Sequence, residues 1–362
     1  MSAPVGFPPA LWAIKVRLQF TGWLQFMAMP VGAAMFLMLA GLGRLVGVYP
    51  ALIVWPPLAL GSLLFLGFVL EVLVMKWGLH PAEPLPARRD AMDVFEVMRA
   101  RRACRSFQAR NLSDAHLAEL MEQVRLHTRP EALLGERPIR LEYIRAPLTV
   151  WPVIGGHEFL VAVAPSAYNR LAVIDVGRCL EKVVHHATKM GLGTCWIGPG
   201  ADQRSIVAHM GERFDPEADH IVCVCAIGYA SRYVPVMIRG MNRLQHHRLP
   251  LSALFFADPG CTRPLDLTAP AFARFGRCYE VCQWSPSSFN EQPTRCVAVT
   301  EGDRLRFDFL MATNSRYYAP VALGIWCANW ELGCEALGIS GHFEVMETAR
   351  RGEGYGVSWV ED

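Results

Sequence analysis

The stretch IDVGRCLEKVVHHATKMGLG, from Ile174 to Gly193, has the pattern of a long amphipathic helix. Glycine follows its last turn, as it often does at a helix C-terminus. Runs typical of buried strands stand on both sides of it: HEFLVAVAP begins at His157, and DHIVCVCAIGYA begins at Asp219. Strands that surround a long helix predict an α+β domain in this part of the chain.

The same order of elements occurs twice. In the first series, AMDVFEVMRARR and LSDAHLAELMEQV predict two helices, the second capped by Ser113 or Asp114, before the strand, long helix and strand. In the second series, FARFGRCYEVCQW predicts a helix, RCVAVTEGDRLRFDFL a hairpin with a Gly-Asp turn, APVALGIWCANWELGCEALGI a long helix, and GHFEVMETA a closing strand. We interpret residues 91–255 and 256–362 as two related halves that pack as an internal pseudo-dimer.

Two apolar runs occupy residues 1–79. Residues 23–42 contain Gln25 as their only strongly polar member, and residues 51–75 are interrupted only by Ser62 and Glu71. Each run can cross a hydrocarbon core of about 30 Å as a helix. We interpret residues 1–79 as a two-helix transmembrane hairpin. The alternatives are a hairpin buried in a globular core and, less compatible with the length of the runs, a signal peptide.

Basic residues flank the hairpin at its outer ends and are scarce in its turn. Those at the outer ends are Lys15, Arg17, Lys76, Arg88 and Arg89. The turn carries Arg44 alone. The positive-inside rule therefore predicts that both ends of the hairpin, and the chain after residue 80, face the cytoplasm from an inner (cytoplasmic) membrane. The proline-rich and charged segment HPAEPLPARRD, residues 80–90, is interpreted as a linker.

Composition limits the kinds of partner and site. The formal net charge of +2 is too small to indicate a nucleic-acid-binding protein. Eleven cysteines in a cytoplasmic body are expected to stay reduced, and none of them forms a CxxC pair. The histidine pairs at 185–186 and 246–247 have no carboxylate or cysteine at ligand spacing, so no metal site is predicted.

Two polar segments are candidates for ligand binding. MRARRACRSF places four arginines within seven positions, an arrangement that can surround a phosphate but that also occurs on solvated helix ends. WSPSSFNEQPTR, residues 284–295, offers hydroxyl, amide and backbone N–H groups without a nucleophile–base pair. The second segment is therefore typical of a binding loop and not of a catalytic dyad.

Together these segments resemble the nitroreductase family of FMN-dependent enzymes. RRACRSF resembles the RRSxRxF opening of that family, WSPSSFNEQPTR its APSxxNxQPWR loop, and DVGRCLEKVVHHATKMGLGTCWIG its core helix and GLGTxWIG loop. VCAIGYA resembles its late strand, and HHRLPLSALFF the basic segment that ends the domain. The resemblance covers about residues 91–362. The late position of the PSSxN loop resembles a membrane-anchored branch in which two half-domains are fused.

The two halves carry complementary parts of the family's flavin site. In the family, one subunit of a dimer supplies the arginines and the GLG loop, and its partner supplies the PSSxN loop. Here the first half has HTRPEALLGERPIR where its own PSSxN loop would stand, and the second half has no RRxxR segment. The resemblance therefore implies one complete FMN site in one chain, with no requirement for an oligomer.

The resemblance also implies which residues hold FMN. For the phosphate it implies Arg101, Arg102, Arg105 and, from the later basic segment, Arg248. For backbone donors beside the flavin it implies Gly191, Gly193 and Thr194. For the ring and ribityl chain it implies Pro286, Ser287, Ser288 and Asn290, with Gln292 and Arg295 bracing the loop or touching the phosphate end. Ala103 and Thr294 depart from the family's serine and tryptophan.

In this family the bound flavin carries the chemistry, so no catalytic side chain is predicted. The implied activity is hydride transfer from NADH or NADPH, through FMN, to a small flat acceptor such as a quinone or a nitroaromatic compound. The hairpin adds the lipid bilayer as a partner and makes a lipophilic acceptor a hypothesis. Two alternatives stay open: a non-catalytic protein that binds or sequesters flavin, and a flavin enzyme that acts on one dedicated metabolite.

Overall fold

A computed structural model describes residues 8–20, 22–47, 49–148, 150–198, 201–244, 247–301, 304–346 and 354–362. Within these ranges the chain forms eleven α-helices and two β-sheets. The predicted Gly-Asp turn at 302–303, His246 and residues 347–349 of the predicted closing strand lie outside the described residues.

The N-terminal region is helical. It consists of α1 (Pro9–Phe20), α2 (Ala28–Val46) and a continuous helix over Pro50–Lys76, whose central α-helical part is α3 (Trp55–Glu71). The second predicted span agrees with Pro50–Lys76. The first helix begins five residues later than predicted, because a 3-10 turn at Leu24–Phe26 precedes it, and it ends four residues later. Both helices are long and apolar enough to cross a membrane. Core helices of soluble proteins and signal sequences can also meet these two criteria.

The first half of the body contains a four-stranded antiparallel sheet with the order β1-β2-β4-β3. Its strands are β1 (Arg140–Arg145), β2 (Glu158–Pro165), β3 (Gly193–Ile197) and β4 (Asp219–Gly228). Its helices are α4 (Val94–Ala100), α5 (Asp114–Thr128), α6 (Arg170–Lys189), α7 (Gln203–Met210) and α8 (Val236–Leu244). The Ser113 side chain caps α5 by accepting a hydrogen bond from the His116 N–H, which confirms the predicted helix start.

The second half contains a five-stranded sheet with the order β5-β6-β7-β9-β8. Its strands are β5 (Phe255–Phe256), β6 (Thr294–Glu301), β7 (Arg304–Met311), β8 (Gly341–Glu344) and β9 (Tyr355–Glu361). Its helices are α9 (Pro270–Ala273), α10 (Gly276–Gln283) and α11 (Tyr318–Ala336). The predicted closing strand corresponds to β8, and sequence analysis did not predict β9, which lies between β7 and β8.

The two sheets have the same topology once the short edge strand β5 is set aside. The order β1-β2-β4-β3 in the first sheet corresponds to β6-β7-β9-β8 in the second. In each half the long helix, α6 or α11, follows the second strand of this set. The fold is therefore α+β, with two similarly connected halves.

The long helices α6 and α11 cross in direct backbone contact. A Cβ atom on Gly177 would lie 2.2 Å from the Val321 carbonyl oxygen, and one on Gly324 would lie 2.0 Å from the Ile174 carbonyl oxygen. Gly177 and Gly324 are separated by the same number of positions as Ile174 and Val321. The contact is therefore the same on both helices, as at an interface with two-fold symmetry.

Short segments of the first half pair or pack with the second half. Strand β5 follows the first half in sequence but pairs in parallel with β6 through Phe255 and Cys296, so the predicted boundary at 255/256 falls inside it. Phe95 and Met98 of α4 are buried in the hydrophobic cluster of the second half. That cluster surrounds Trp330 of α11, whose ring centroid lies 4.6 Å from that of Phe307.

Candidate functional site

The arginine segment runs from the end of α4 along the first sheet. Arg101 caps the C-terminus of α4, and the chain then continues as an isolated bridge between Ala103 and Thr194 of β3. The Cys104 N–H donates a hydrogen bond of 2.8 Å to the Thr194 carbonyl oxygen. This pairing places the predicted phosphate arginines next to the strand that begins at Gly193.

Three guanidinium groups lie over one indole ring of the second half. The guanidinium carbons of Arg99, Arg102 and Arg248 are 5.6, 5.5 and 5.3 Å from the centroid of the Trp284 ring. Such distances are within the range of cation–π attraction. Trp284 immediately precedes the PSSFN loop, so this ring is where arginines of the first half and the loop of the second half meet.

Positive charge at this place is only partly balanced. Arg99 forms an ion pair of 2.9 Å with Glu280. Among the residues that the structure describes, no carboxylate lies within ion-pair distance of Arg102 or Arg248. Burial, followed by repulsion from Arg101 and Arg102, lowers the pKa of Arg248 to about 10. Burial, followed by repulsion from Arg101 and Arg99, also lowers the pKa of Arg102. The cluster is therefore suited to an anionic ligand.

Hydrogen bonds tie the PSSFN loop to the basic segment that ends the first half. Arg248 Nη1 donates a bond of 2.5 Å to Asn290 Oδ1, and Asn290 Nδ2 donates one of 2.7 Å to the His247 carbonyl oxygen. Gln292 Oε1 accepts a bond of 2.9 Å from the Leu249 N–H. The loop is thus held by residues 247–249, and both polar atoms of the Asn290 side chain are in use.

The same loop has a strained backbone. Phe289, Asn290 and Gln292 have φ angles of 51°, 59° and 50°, in the left-handed region that residues other than glycine rarely adopt. The Gln292 N–H donates a bond of 2.9 Å to Ser287 Oγ, which stabilises this conformation. Strained backbone held by specific side chains is common at ligand-binding sites, and the exposed Phe289 side chain (68% exposed) points away from the core.

A small cavity lies under the loop. It encloses about 10 Å³, enough for a single water molecule at most. Its walls include Ser285, Pro286, Ser287, Gln292 and Trp326. The indole N–H of Trp326 is buried and has no hydrogen-bond partner among the described residues. The cavity is too small for a flavin ring.

The glycines of the GLG segment are required by packing within the chain. A Cβ atom on Gly191, whose φ is +83°, would lie 2.5 Å from the carbonyl oxygen of Ala87 in the linker. A Cβ atom on Gly193 would lie 2.6 Å from Cys104 Sγ. The Gly191 N–H already donates to the Thr188 carbonyl oxygen at 3.1 Å. These two glycines therefore let the linker and the arginine segment approach β3 closely.

A buried polar network connects Arg101 to the start of the PSSFN loop. Glu181 of α6 is fully buried; one of its carboxylate oxygens lies 3.7 Å from Arg101 Nε and 3.6 Å from His185 Nε2. His185 Nε2 is 2.6 Å from Asn329 Oδ1 on α11, and Asn329 Nδ2 donates a bond of 2.7 Å to Ser285 Oγ. The network thus crosses the α6–α11 contact between the two ends of the candidate site.

Residues 93–334, about two thirds of the chain, match the protein family described as "Putative TM nitroreductase". The chain belongs to this nitroreductase family. The matched range contains the arginine segment, the PSSFN loop, α6 and all but the last two residues of α11, and it excludes the N-terminal hairpin. No curated protein matches the chain.

Solved nitroreductase structures are similar to this family member at low sequence identity. A "putative nitroreductase" of Thermotoga maritima is 15% identical, with a TM-score of 0.45, over 78% of this chain and 96% of its own. A nitroreductase family protein of Clostridium difficile is 17% identical, with a TM-score of 0.34, over 44% of this chain and 95% of its own. A Bacteroides fragilis nitroreductase with bound FMN is 15% identical, with a TM-score of 0.32, over 39% of this chain and 89% of its own.

The buried pair Glu181 and His185 predicts opposite pH dependence in two variants of this nitroreductase-family protein. Burial raises the pKa of Glu181 to about 7, so the folded state binds that proton more tightly than the unfolded chain. Burial lowers the pKa of His185 to about 4, so the unfolded chain binds that proton more tightly. As pH rises from about 5 to about 6.5, the Glu181 contribution therefore lowers the free energy of unfolding and the His185 contribution raises it.

A variant that lacks one of these two groups should show the pH dependence of stability that the other group contributes. Relative to the wild type, the free energy of unfolding of His185→Gln should fall as pH rises through this window, and that of Glu181→Gln should rise, each with a limiting slope of about 1.4 kcal/mol per pH unit; Tm should follow in the same directions. Thermal unfolding of the purified protein at several pH values measures both slopes. Slopes of the same sign in the two variants would contradict the assignment.

The structure brings only some of the predicted site residues of this nitroreductase-family chain together, apart from Gly191, Gly193 and Thr194 at the start of β3. The group that the structure brings together consists of Arg101, Arg102, Arg248 and the loop from Pro286 to Gln292. Arg105 instead bonds Asn242 of α8, and Arg295 bonds the backbone of its own loop. Sequence analysis gave no role to Trp284 or to the Glu181–His185–Asn329 network. Trp284 was visible next to the loop, whereas the network becomes apparent only when α6 and α11 cross.

Proposed function

We propose that this nitroreductase-family protein is an FMN-dependent oxidoreductase anchored in a membrane by its N-terminal hairpin. Its electron donor would be NADH or NADPH, and its acceptor a small flat molecule such as a quinone or a nitroaromatic compound. The proposed organisation is a hairpin over residues 1–79, a linker over 80–90, and two halves, 91–255 and 256–362, that form an internal pseudo-dimer with one flavin site.

One observation carries the proposal: arginines of the first half converge with the PSSFN loop of the second half at Trp284. Arg102 and Arg248 both lie over this ring, and Arg248 is bonded to Asn290. In the nitroreductases that the chain resembles, the corresponding segments come from the two subunits of a dimer. Their meeting within one chain supports a single site built from both halves, for which no second copy of the chain is needed.

The residues present fit a phosphate-bearing ligand. Arg102 and Arg248 have lowered pKa values, and the structure describes no carboxylate within ion-pair distance of either. Arg248 Nε is buried and has no hydrogen-bond partner among the described residues, so it is a donor available for an oxyanion. Arg101, Arg102, Arg105 and Arg248 would hold the phosphate, with Gly191, Gly193 and Thr194 beside the flavin.

The loop residues would orient the ring. Pro286, Ser287, Ser288 and Asn290 are proposed along the ring and ribityl chain, with Gln292 bracing the loop. Bound FMN supplies an acceptor and donor of hydride, and the protein supplies placement, charge and exclusion of water. In the structure Arg248 and Asn290 bond each other. A ligand that takes Arg248 Nη1 or Asn290 Oδ1 would have to replace this bond, whereas a bond to Arg248 Nε would leave it in place.

Membrane anchoring is supported by the exposure of the hairpin. Only 17% of the apolar window of each helix is buried within the chain. A hairpin in a globular core would be mostly buried, so the exposed apolar surface favours a lipid environment. An anchored site favours a lipophilic acceptor reached from the bilayer surface, and the basic residues at the outer ends of the hairpin favour a cytoplasmic body.

The proposal is tested on the full chain purified in detergent. We expect one FMN per chain, retained or bound on addition, and rapid bleaching of the flavin absorbance by NADH or NADPH without oxygen. The reduced protein should then pass its electrons to a soluble quinone faster than free reduced FMN does. Failure to bind FMN would exclude the proposed site.

The same titration separates an enzyme from a flavin-sequestering protein. The closed Arg248–Asn290 contact and the small cavity under the loop favour restricted access to this site. If bound FMN is bleached slowly or not at all by either nucleotide, sequestration is the better description. Turnover with quinones no faster than that of free FMN would argue against a quinone as the acceptor.

A further inference from the structure

The hairpin contains one carboxylate, and it is used outside the hairpin. Glu71 is the only acidic residue in the continuous helix Pro50–Lys76, and its side chain is 7% exposed. Its Oε1 accepts a hydrogen bond of 2.7 Å from the N–H of Val236, the first residue of α8. A carboxylate at this place accepts from an N–H group that the helix itself cannot pair. Its negative charge also interacts favourably with the positive end of the helix dipole.

The linker forms hydrogen bonds and a ring contact with the residues that lead into α8. We name residues 231–244, which join β4 to α8 and include α8, the connector. Glu83 is buried and accepts two hydrogen bonds of 2.7 Å, from Ser231 Oγ and from the Arg232 N–H. The His80 ring lies against that of Tyr233, with the centroids 4.2 Å apart. The segment from Glu71 to Glu83 therefore contacts the connector at three points.

The opposite side of the connector contacts the arginine segment. Asn242 Oδ1 accepts a hydrogen bond from Arg105 Nη1. Ser106 Oγ donates a bond of 2.6 Å to the Tyr233 carbonyl oxygen, and the Ser231 N–H donates one of 2.9 Å to the Ser106 carbonyl oxygen. A continuous chain of contacts thus runs from the hairpin, through the connector, to Arg105.

We infer that Glu71 and Glu83 are positioning residues for the phosphate end of the candidate FMN site, acting through the connector. This inference rests on the proposed function, because it assigns Arg105 to the FMN phosphate. It adds a role for the hairpin beyond anchoring: the hairpin and the linker set the place of a ligand-binding arginine.

The physical basis is the short length of α8. A helix of nine residues is marginal by itself and depends on its caps and contacts. Without the Glu71 carboxylate, the first turn loses its acceptor and α8 is expected to fray. Asn242 then no longer holds the Arg105 guanidinium in one orientation, and the phosphate loses a preorganised partner. The ring end of the site is held separately, by the bonds between residues 247–249 and the PSSFN loop, so we expect it to change less.

The test compares FMN with riboflavin, which lacks the phosphate, on the full chain in detergent. In Glu71→Leu we expect the Kd for FMN to rise about tenfold and the Kd for riboflavin to stay unchanged. Glu71→Gln keeps an oxygen that can accept from the Val236 N–H, so it should restore FMN binding. Glu335→Leu, at an exposed position of α11, is the matched control and should bind both flavins as the wild type does.

The second site of contact keeps the inference testable if Glu71→Leu does not fold. Glu83→Leu, outside the hairpin, should give the same selective loss of FMN affinity. An unchanged FMN Kd in these variants, or an equal loss of FMN and riboflavin binding, would overturn the inference. A wild-type chain that binds neither flavin would instead overturn the proposed function.

Hydrogen exchange gives an independent readout. Because coupling between two sites is reciprocal, FMN should slow exchange of the amides in residues 236–244 of the wild type. In Glu71→Leu the Val236 amide should exchange faster, and FMN should protect this segment less. Protection by FMN that is equal in both proteins would show that the hairpin and the phosphate end are not coupled.

Discussion

Replacing Gly324 with alanine is expected to lower the free energy of unfolding by about 3 kcal/mol, which corresponds to a fall in Tm of about 4 °C for a chain of 362 residues. The added Cβ would lie 2.0 Å from the Ile174 carbonyl oxygen and 2.8 Å from the Arg178 N atom. These are backbone atoms of a packed helix, so they cannot turn aside as a flexible side chain can. The two long helices must move apart, and the core around them loses contact.

Gly276→Ala is the matched control, because this glycine is also helical and a Cβ atom there would meet nothing within 4 Å. It should leave Tm unchanged or raise it slightly, since alanine loses less conformational entropy on folding. Thermal unfolding of both variants in the same detergent makes the comparison. Equal Tm values for the two variants would mean that Gly324 and the backbone of α6 are not in close contact.

Substitution of Arg248 by glutamine is expected to weaken FMN binding by roughly 10- to 150-fold, the range for a lost hydrogen bond to a charged group. Arg248 combines the lowered pKa with a buried Nε atom that has no partner among the described residues. It also contacts Asn290 of the loop, so it connects the phosphate end to the ring end. Quenching of flavin fluorescence on titration of the apoprotein measures the Kd.

Arg99→Gln provides the control for this substitution. Arg99 lies over the same Trp284 ring but is exposed and paired with Glu280, and it is not assigned to the phosphate. Its loss should change the Kd no more than about fivefold, the value of an exposed cation–π contact. If the two variants bind FMN equally well, Arg248 does not contact the phosphate and the site needs another arrangement.

The long elements were predictable from sequence because their patterns are long. The helix that contains Gly177 and the buried strand that contains Cys223 were both expected, and both are present. Strand β9 was not predicted. It begins at Tyr355 and lies between β7 and β8 in the sheet, so its pairing depends on strands that its own sequence does not specify. Strand β5 has only two residues, too few to produce a period.

Sequence motifs identified residues of the candidate site, but they could not predict all the contacts of those residues. RRACR and PSSFN could be recognised locally, and the structure brings Arg101, Arg102 and Arg248 to the loop. The position of Arg105 against Asn242 could not be predicted, because α8 is placed by a carboxylate 165 positions earlier in the chain. The packing role of Gly191 was also hidden, since it depends on the path of the linker across β3.

The contact between Gly177 and Gly324 has a consequence for how such a protein can evolve. In a dimer of identical subunits, every substitution appears twice, so a change that benefits one pocket is imposed on the other. Here the two sides of the crossing are encoded separately. Residues 127–140 and 284–295 occupy corresponding positions in the two halves and can therefore diverge: one can keep the chemistry of a binding loop while the other is free to acquire a different task.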